Sequence, residues 1–182
     1  MSNFVYIDNS NVFIEGKRVS AVRKGLVSNI YDAMNRKIID NSYRLDFGKL
    51  HSVTAGSDPT KIKRAVLFGS RPPINDSLWV IAEKAGFETI IVDRNSANKE
   101  KKVDTGIVTE MLRDAYTKMN KVDDVITLVA GDGDFVPAIE TLRKDGFTIE
   151  LFFWNHAAQE LKDACDRFVA LDLHLEHLEF SL

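Results

Sequence analysis

Five short apolar segments, each set off by a polar loop or by a stretch with helical spacing, constrain this chain more than any other feature. Phe4-Val5-Tyr6-Ile7 and residues 64–68, 88–92, 125–130 and 148–153 are nearly continuous in apolar residues rather than alternating. That is the pattern of strands buried on both faces. Between them, Leu78, Ile81, Ala82 and Ala85 mark a helix stopped by Gly86. A long helix is expected at about 103–119, another ends before Gly146, and a last one covers about 157–165. Strands that alternate with helices form a parallel sheet covered twice. The expected class is therefore α/β, a mostly parallel sheet of about five strands flanked by helices, with residues 168–171 as a short extra edge strand. Right-handed crossovers then bring every strand-to-helix loop to one edge, where ligands of such sheets bind.

The length of 182 residues suits a single domain with an ample core. A mostly polar and basic insertion occupies about residues 15–60, with helical spacing near Val27, Ile30, Tyr31 and Met34 and a helix capped by Asp46. A short tail follows about residue 172 and carries Leu173, Leu175, Leu178 and Phe180. No apolar run approaches the ~20 residues of a membrane span, and the first residues lack a signal-peptide pattern, so a cytoplasmic protein is expected. The lone Cys165 excludes an intrachain disulfide and any multi-cysteine zinc site.

Charge is divided along the chain. Residues 1–103 hold 17 Lys+Arg against 11 Asp+Glu, whereas residues 104–182 hold 7 against 16. A basic half joined to an acidic half is one mark of a nucleic-acid partner.

The acidic residues carry the chemistry. Asp8 closes the first strand, and Asp132 and Asp134 follow the fourth in Ala130-Gly131-Asp132-Gly133-Asp134-Phe135. All three belong to one sheet edge, with glycines permitting a tight backbone there. Any one could be a helix cap, and Asp134 before Phe135-Val136-Pro137 is well placed for that. Several together repel and need a compensating charge. Asp104 joins them. At about 100° per residue, Val103, Ile107, Val108, Met111, Leu112 and Ala115 mark one helix face, and Asp104 falls near its middle. A carboxylate there is costly unless it is ion-paired or binds a metal. Carboxylates without a cysteine or histidine cluster suit a hard cation, Mg²⁺ or Mn²⁺. Such ions stabilise the attacking and leaving oxygens of a phosphodiester displacement and lower the pKa of bound water.

Basic residues supply the substrate argument. Lys99, Lys101 and Lys102 lie just before Asp104, with Arg94 nearby and Arg71 after the second strand. Lys17, Arg18, Arg23, Lys24, Arg36 and Lys37 line the insertion. Such side chains hold phosphate backbones. The reading from these residues is a divalent-metal phosphodiesterase acting on nucleic acid. Its rivals are a binding or assembly module with an inactive acidic site, and a phosphohydrolase for small molecules. Aspartyl-phosphate phosphatases would want Asp-x-Asp after the first strand, where residue 10 is Ser.

Taken together, Tyr6-Ile7-Asp8-Asn9-Ser10-Asn11, Lys102-Val103-Asp104, Ala130-Gly131-Asp132-Gly133-Asp134-Phe135-Val136-Pro137 and Cys165-Asp166-Arg167-Phe168 resemble the NYN domain, the LabA-like or DUF88 group of the PIN-like nuclease superfamily. The resemblance spans about residues 4–171. It implies a Rossmann-like, PIN-type sheet over residues 1–182 and metal-dependent endonucleolytic cleavage of single-stranded RNA. Asp8, Asp104, Asp132 and Asp134 would be the metal-binding and catalytic carboxylates. Asn11 would be the polar residue that steadies the first acid or touches substrate; Ser10 beside it, and Arg71, Lys99, Lys101 and Lys102 on the charge argument above, complete the expected substrate contacts. No membrane partner is implied, and a homo-oligomer is compatible with the pattern. One departure stands out: a serine expected near Ala158 is replaced, leaving Asn155 and His156 as the local polar groups.

Overall fold

Tyr6 and Ile7 point to opposite faces of the first strand and each is fully buried, so the sheet that contains them is covered twice. The computed structural model describes residues 1–71, 77–93 and 99–181, without the side chains of residues 71, 93 and 99–102. The side chains of Arg71, Lys99, Lys101 and Lys102, expected at the substrate, and the whole of Arg94 lie outside the described residues.

β1 (Ser2–Asp8) pairs in parallel with both β2 (Ile62–Arg71) and β4 (Asp124–Val129). β3 (Glu88–Asp93) extends the sheet beyond β2, while β5 (Thr148–Phe153) and β6 (Arg167–Ala170) extend it beyond β4. The order is β3-β2-β1-β4-β5-β6, all parallel. The expected edge strand forms as β6, giving six strands among the described residues.

Odd and even residues of the strands feed two separate cores. Val5, Ile7, Leu67 and Val129 face α1 (Asn9–Arg23), α3 (Phe47–Ala55), α4 (Ser77–Lys84) and the tail, whose α8 (Leu175–Leu178) buries Leu175 and Leu178. Phe4, Tyr6, Val66, Phe68 and Leu128 face α5 (Lys99–Thr117), α6 (Val136–Lys144) and α7 (Gln159–Ala164). Burying a large apolar side chain contributes roughly 1.5–3 kcal/mol. Val103, Ile107, Met111 and Ala115 form the buried stripe expected of α5. The helices reverse faces where the chain crosses from β3 to β4, which places the topological switch point between β1 and β4.

Two local expectations need correction. α5 starts at Lys99, so Lys99, Lys101 and Lys102 belong to the helix and Asp104 is its sixth residue, past the first turn. The Lys-Glu-Lys-Lys stretch is made of good helix formers, which extend the helix into what reads as a polar loop. The segment after Asp8 is likewise a helix, α1, rather than an irregular polar stretch. Its buried positions are Asn9, Val12, Gly16, Ser20 and Ala21, mostly small or polar residues, so that Val12 alone gives no apolar stripe. Gly16 is required there: a Cβ would stand 2.7 Å from the ring of Trp154. Trp154 is fully buried and its indole N–H donates to the Val12 carbonyl at 2.9 Å. Behind α1 the short helix α2 (Ile30–Asn35) follows, capped by Asn29. Asp40 fastens this segment, accepting from Ser20 Oγ at 2.7 Å and pairing with Lys24.

Candidate active site

Asp8 ends β1 and caps α1. Its Oδ1 accepts the Asn11 backbone N–H at 3.1 Å and the Ser10 hydroxyl at 3.0 Å, and the residue is almost wholly buried. Across the switch point, the Asn11 carboxamide oxygen accepts the Gly131 N–H at 3.2 Å. The segment after β4 is held from two more sides. The Ala158 N–H donates to the Gly131 carbonyl at 2.9 Å, and the Phe153 ring fills the place of a Gly131 Cβ, which would come within 2.1 Å of it. A Cβ on Gly133 would meet a Glu160 carboxylate oxygen at 2.0 Å. Close approach to the Phe153 ring thus accounts for Gly131, whereas the exposed Glu160 side chain near Gly133 can move aside, and neither glycine has a positive φ.

Asp8, Asp104 and Asp132, from β1, α5 and the turn after β4, line one polar cleft with Ser10, Asn11 and Arg18. Asp104 is half-buried and Asp132 exposed. Asp134 is exposed and lies outside the lining of that cleft. The capping role foreseen for it belongs to Asp132, whose Oδ1 accepts the Asp134 N–H at 3.1 Å at the head of the 3-10 turn Gly133–Phe135. The turn separates Asp134 from α6, whose own N-cap, Phe135, has no side-chain acceptor.

Glu15, which the sequence did not single out, joins the site with Arg18 and His156, which it named only as an insertion cation and a local polar group. Glu15 lines the acidic cleft and forms an ion pair with Arg18. His156 Nε2 stands 2.7 Å from Glu15 Oε2, with its side chain buried. Asn11, Glu15 and Arg18 are spaced at four and three residues, which is one face of α1. That spacing was visible once the segment was taken as a helix. Other insertion cations are engaged elsewhere: Arg23 pairs with Glu176, and Lys24 with Asp40 and Glu179. Cys165 is buried, which pushes its thiol up to about 12, and it acts as packing rather than as a nucleophile.

The sequence model of the NYN domain matches residues 4–172. The chain belongs to the NYN domain family. Membership gives this NYN domain a PIN-like, nuclease-like reading; such nucleases generally use divalent metals and act on nucleic acid. No curated protein matches its sequence. Among solved structures, it is similar to a protein of unknown function from Vibrio parahaemolyticus, at 18% identity, over 98% of this chain and 96% of that one, with a TM-score of 0.68. That likeness is one of fold. Among the described residues, no helix is long and apolar enough to cross a membrane.

The donor set suits a divalent cation of the hard kind, since the cleft offers carboxylate and amide oxygens without sulfur. Among the described residues, no three acidic or histidine side chains stand close enough together to hold an ion between them. Mg²⁺ tolerates that arrangement, because it keeps several waters and takes only one or two carboxylates from a protein.

Proposed function

We propose that this NYN domain is a divalent-metal-dependent endoribonuclease, acting on single-stranded RNA with Mg²⁺ or Mn²⁺ at the Asp8–Asp104–Asp132 cleft. The observation that supports this most is that three carboxylates from distant parts of the chain line one polar cleft at the switch point. When bound, the cation supplies Lewis-acid stabilisation of charge that builds on the phosphoryl oxygens. One or two of Asp8, Asp104 and Asp132 would hold it directly, with waters completing its shell. Asp134, beside Asp132 but off the cleft lining, takes the outer position and adds negative field.

The remaining residues position and balance. Ser10 and the Asn11 N–H hold the Asp8 carboxylate, and Asn11 keeps Asp8 and Asp132 in register through Gly131. Arg18 brings a guanidinium into the same cleft, where it offsets part of the acidic charge and can meet a substrate phosphate. Glu15 pairs with Arg18 and is itself bonded to His156. Lys99, Lys101, Lys102 and Arg71 are proposed to hold phosphates flanking the cleaved one.

A second reading is a nucleic-acid-binding module that does not cut, and the lack of a convergent acidic trio among the described residues favours it. Labelled single-stranded RNA, single-stranded DNA and duplex, incubated with Mg²⁺, Mn²⁺ or EDTA, separate the two. Chelator-sensitive cutting of single-stranded RNA is the expected result. Binding without cutting under every cation supports the module.

A further inference from the structure

The acidic cleft does not end at Asp132. A neighbouring cleft shares Asn11, Glu15 and Asp132 with it and adds Met34, Phe153 and His156. A third, of about 390 Å³, shares His156 and runs on between α1 and α2 past Val19, Ile30 and Tyr31 to Arg23. The lining changes along this path from carboxylates to apolar and aromatic groups. Each part also presents one exposed large apolar side chain: Ile14 at 43%, Met34 at 40% and Tyr31 at 70%.

We propose that the path is the track of a single nucleic-acid strand, with Tyr31 as the stacking platform for a base flanking the cleaved phosphate. The inference rests on the nuclease reading and adds to it a function for the α1–α2 segment. A strand has two chemistries, and the path matches both in order. Its phosphate chain needs cations, which the acidic end would supply through a bound metal and the far end through Arg23. Its bases offer π-faces to any exposed ring, and such stacking tolerates every sequence. A duplex keeps those faces covered and cannot use Tyr31. The Arg23–Glu176 pair lies in solvent on both sides, 67% and 76% exposed, so it is weak and a phosphate can take its place. A second copy of the chain is a poorer occupant, because Glu15, Asn155, His156 and Asp172 interrupt the apolar lining.

Fluorescence anisotropy with labelled single-stranded RNA in Ca²⁺, which takes the same oxygen ligands, tests this. Tyr31→Ala should weaken binding about five- to a hundredfold, whereas Tyr31→Phe keeps the ring and binds like wild type. The slope of log affinity against log salt should stay constant, since no phosphate contact is lost. One abasic position along the strand should weaken wild type and leave Tyr31→Ala indifferent. The melting temperature of Tyr31→Ala should be unchanged, as the side chain lies in solvent. Wild-type affinity in Tyr31→Ala overturns the inference and leaves the nuclease reading intact. So does equal weakening in Tyr31→Phe, or a wild-type dimer that Tyr31→Ala dissociates. Wild type that binds no single strand at all sinks both.

Discussion

The side-chain oxygen of Asn11 accepts the backbone N–H of Gly131 at 3.2 Å, tying the turn after β1 to the turn after β4 across the switch point of the sheet. Asp8 lies three residues before one end of this bond and Asp132 directly after the other. Asn11→Ala should cost about 1 kcal/mol of stability, the ordinary net worth of one such bond. Cleavage should fall much further, because misplacing catalytic groups by an ångström is costly. Denaturation curves and initial rates on one preparation give the comparison. Rates that fall only as far as stability does would make Asn11 a structural tie and nothing more.

Asp132 and Asp134 are two residues apart, yet only Asp132 lines the acidic cleft. Asp132→Asn should therefore abolish cleavage and Asp134→Asn should reduce it less, both with the fold retained. A cation that binds only the folded state stabilises it by about 2.7 kcal/mol at a hundred times its dissociation constant. Melting of wild type should rise with Mn²⁺ or Mg²⁺, and that rise should shrink in Asp132→Asn and Asp104→Asn. Equal melting shifts in all three proteins would place the cation elsewhere.

The strands were legible because they are buried on both faces and so read as apolar runs; β5 was found residue for residue. α1 was not legible as a helix, because its buried face is built around Gly16 and Ser20 to admit Trp154 and Asp40. Missing α1 concealed Glu15 and left Arg18 as one insertion cation among several, since their place in the cleft depends on its helical spacing. Asp104 was found through the α5 stripe, yet the same stripe holds a carboxylate deeper in the core. Asp114 is fully buried and bonded to Tyr6, Arg64 and Lys118. Its angle on the helix is closer to Val103 than that of Asp104, so the pattern alone could not tell a structural acid from a functional one. Their places differ: Asp114 is fully buried among cations from β2 and from its own helix, whereas Asp104 is half-buried and lines the cleft at the edge of the sheet, where it is a candidate for the site.

Asp114 gives a pH dependence with a definite sign. Burial pushes its carboxyl up, and the bonds from Lys118, Arg64 and Tyr6 more than offset this, leaving it below the usual 3.8. A lowered folded pKa means that the stability is present above the unfolded value and lost as pH falls through the folded one. Asp40 and Asp124 are held low in the same way, by Lys24 with Ser42 and Ser20, and by Lys63 with the Asn120 N–H. Acid unfolding should therefore set in below about pH 4. Asp114→Asn leaves Arg64 short of a partner and should cost about 3 kcal/mol at neutral pH. Its stability should then change less with acid than that of wild type, and the two should converge at the lowest pH. Parallel curves would show that Asp114 is not linked to folding.

Ala158 is the N-cap of α7 and offers no side-chain acceptor, although its own N–H holds the Gly131 carbonyl. A serine hydroxyl there would accept a first-turn N–H and should add about 1 kcal/mol to stability. The position also borders the cleft that contains Gly131 and Asp132, so the same hydroxyl would face the proposed substrate path. The two effects separate in one variant. If Ala158→Ser raises the melting temperature and leaves the cleavage rate within a few-fold, a hydroxyl at this position is a cap. A large rise in rate without a rise in melting temperature would mean that it completes a substrate contact instead, and that this chain works with a weakened one.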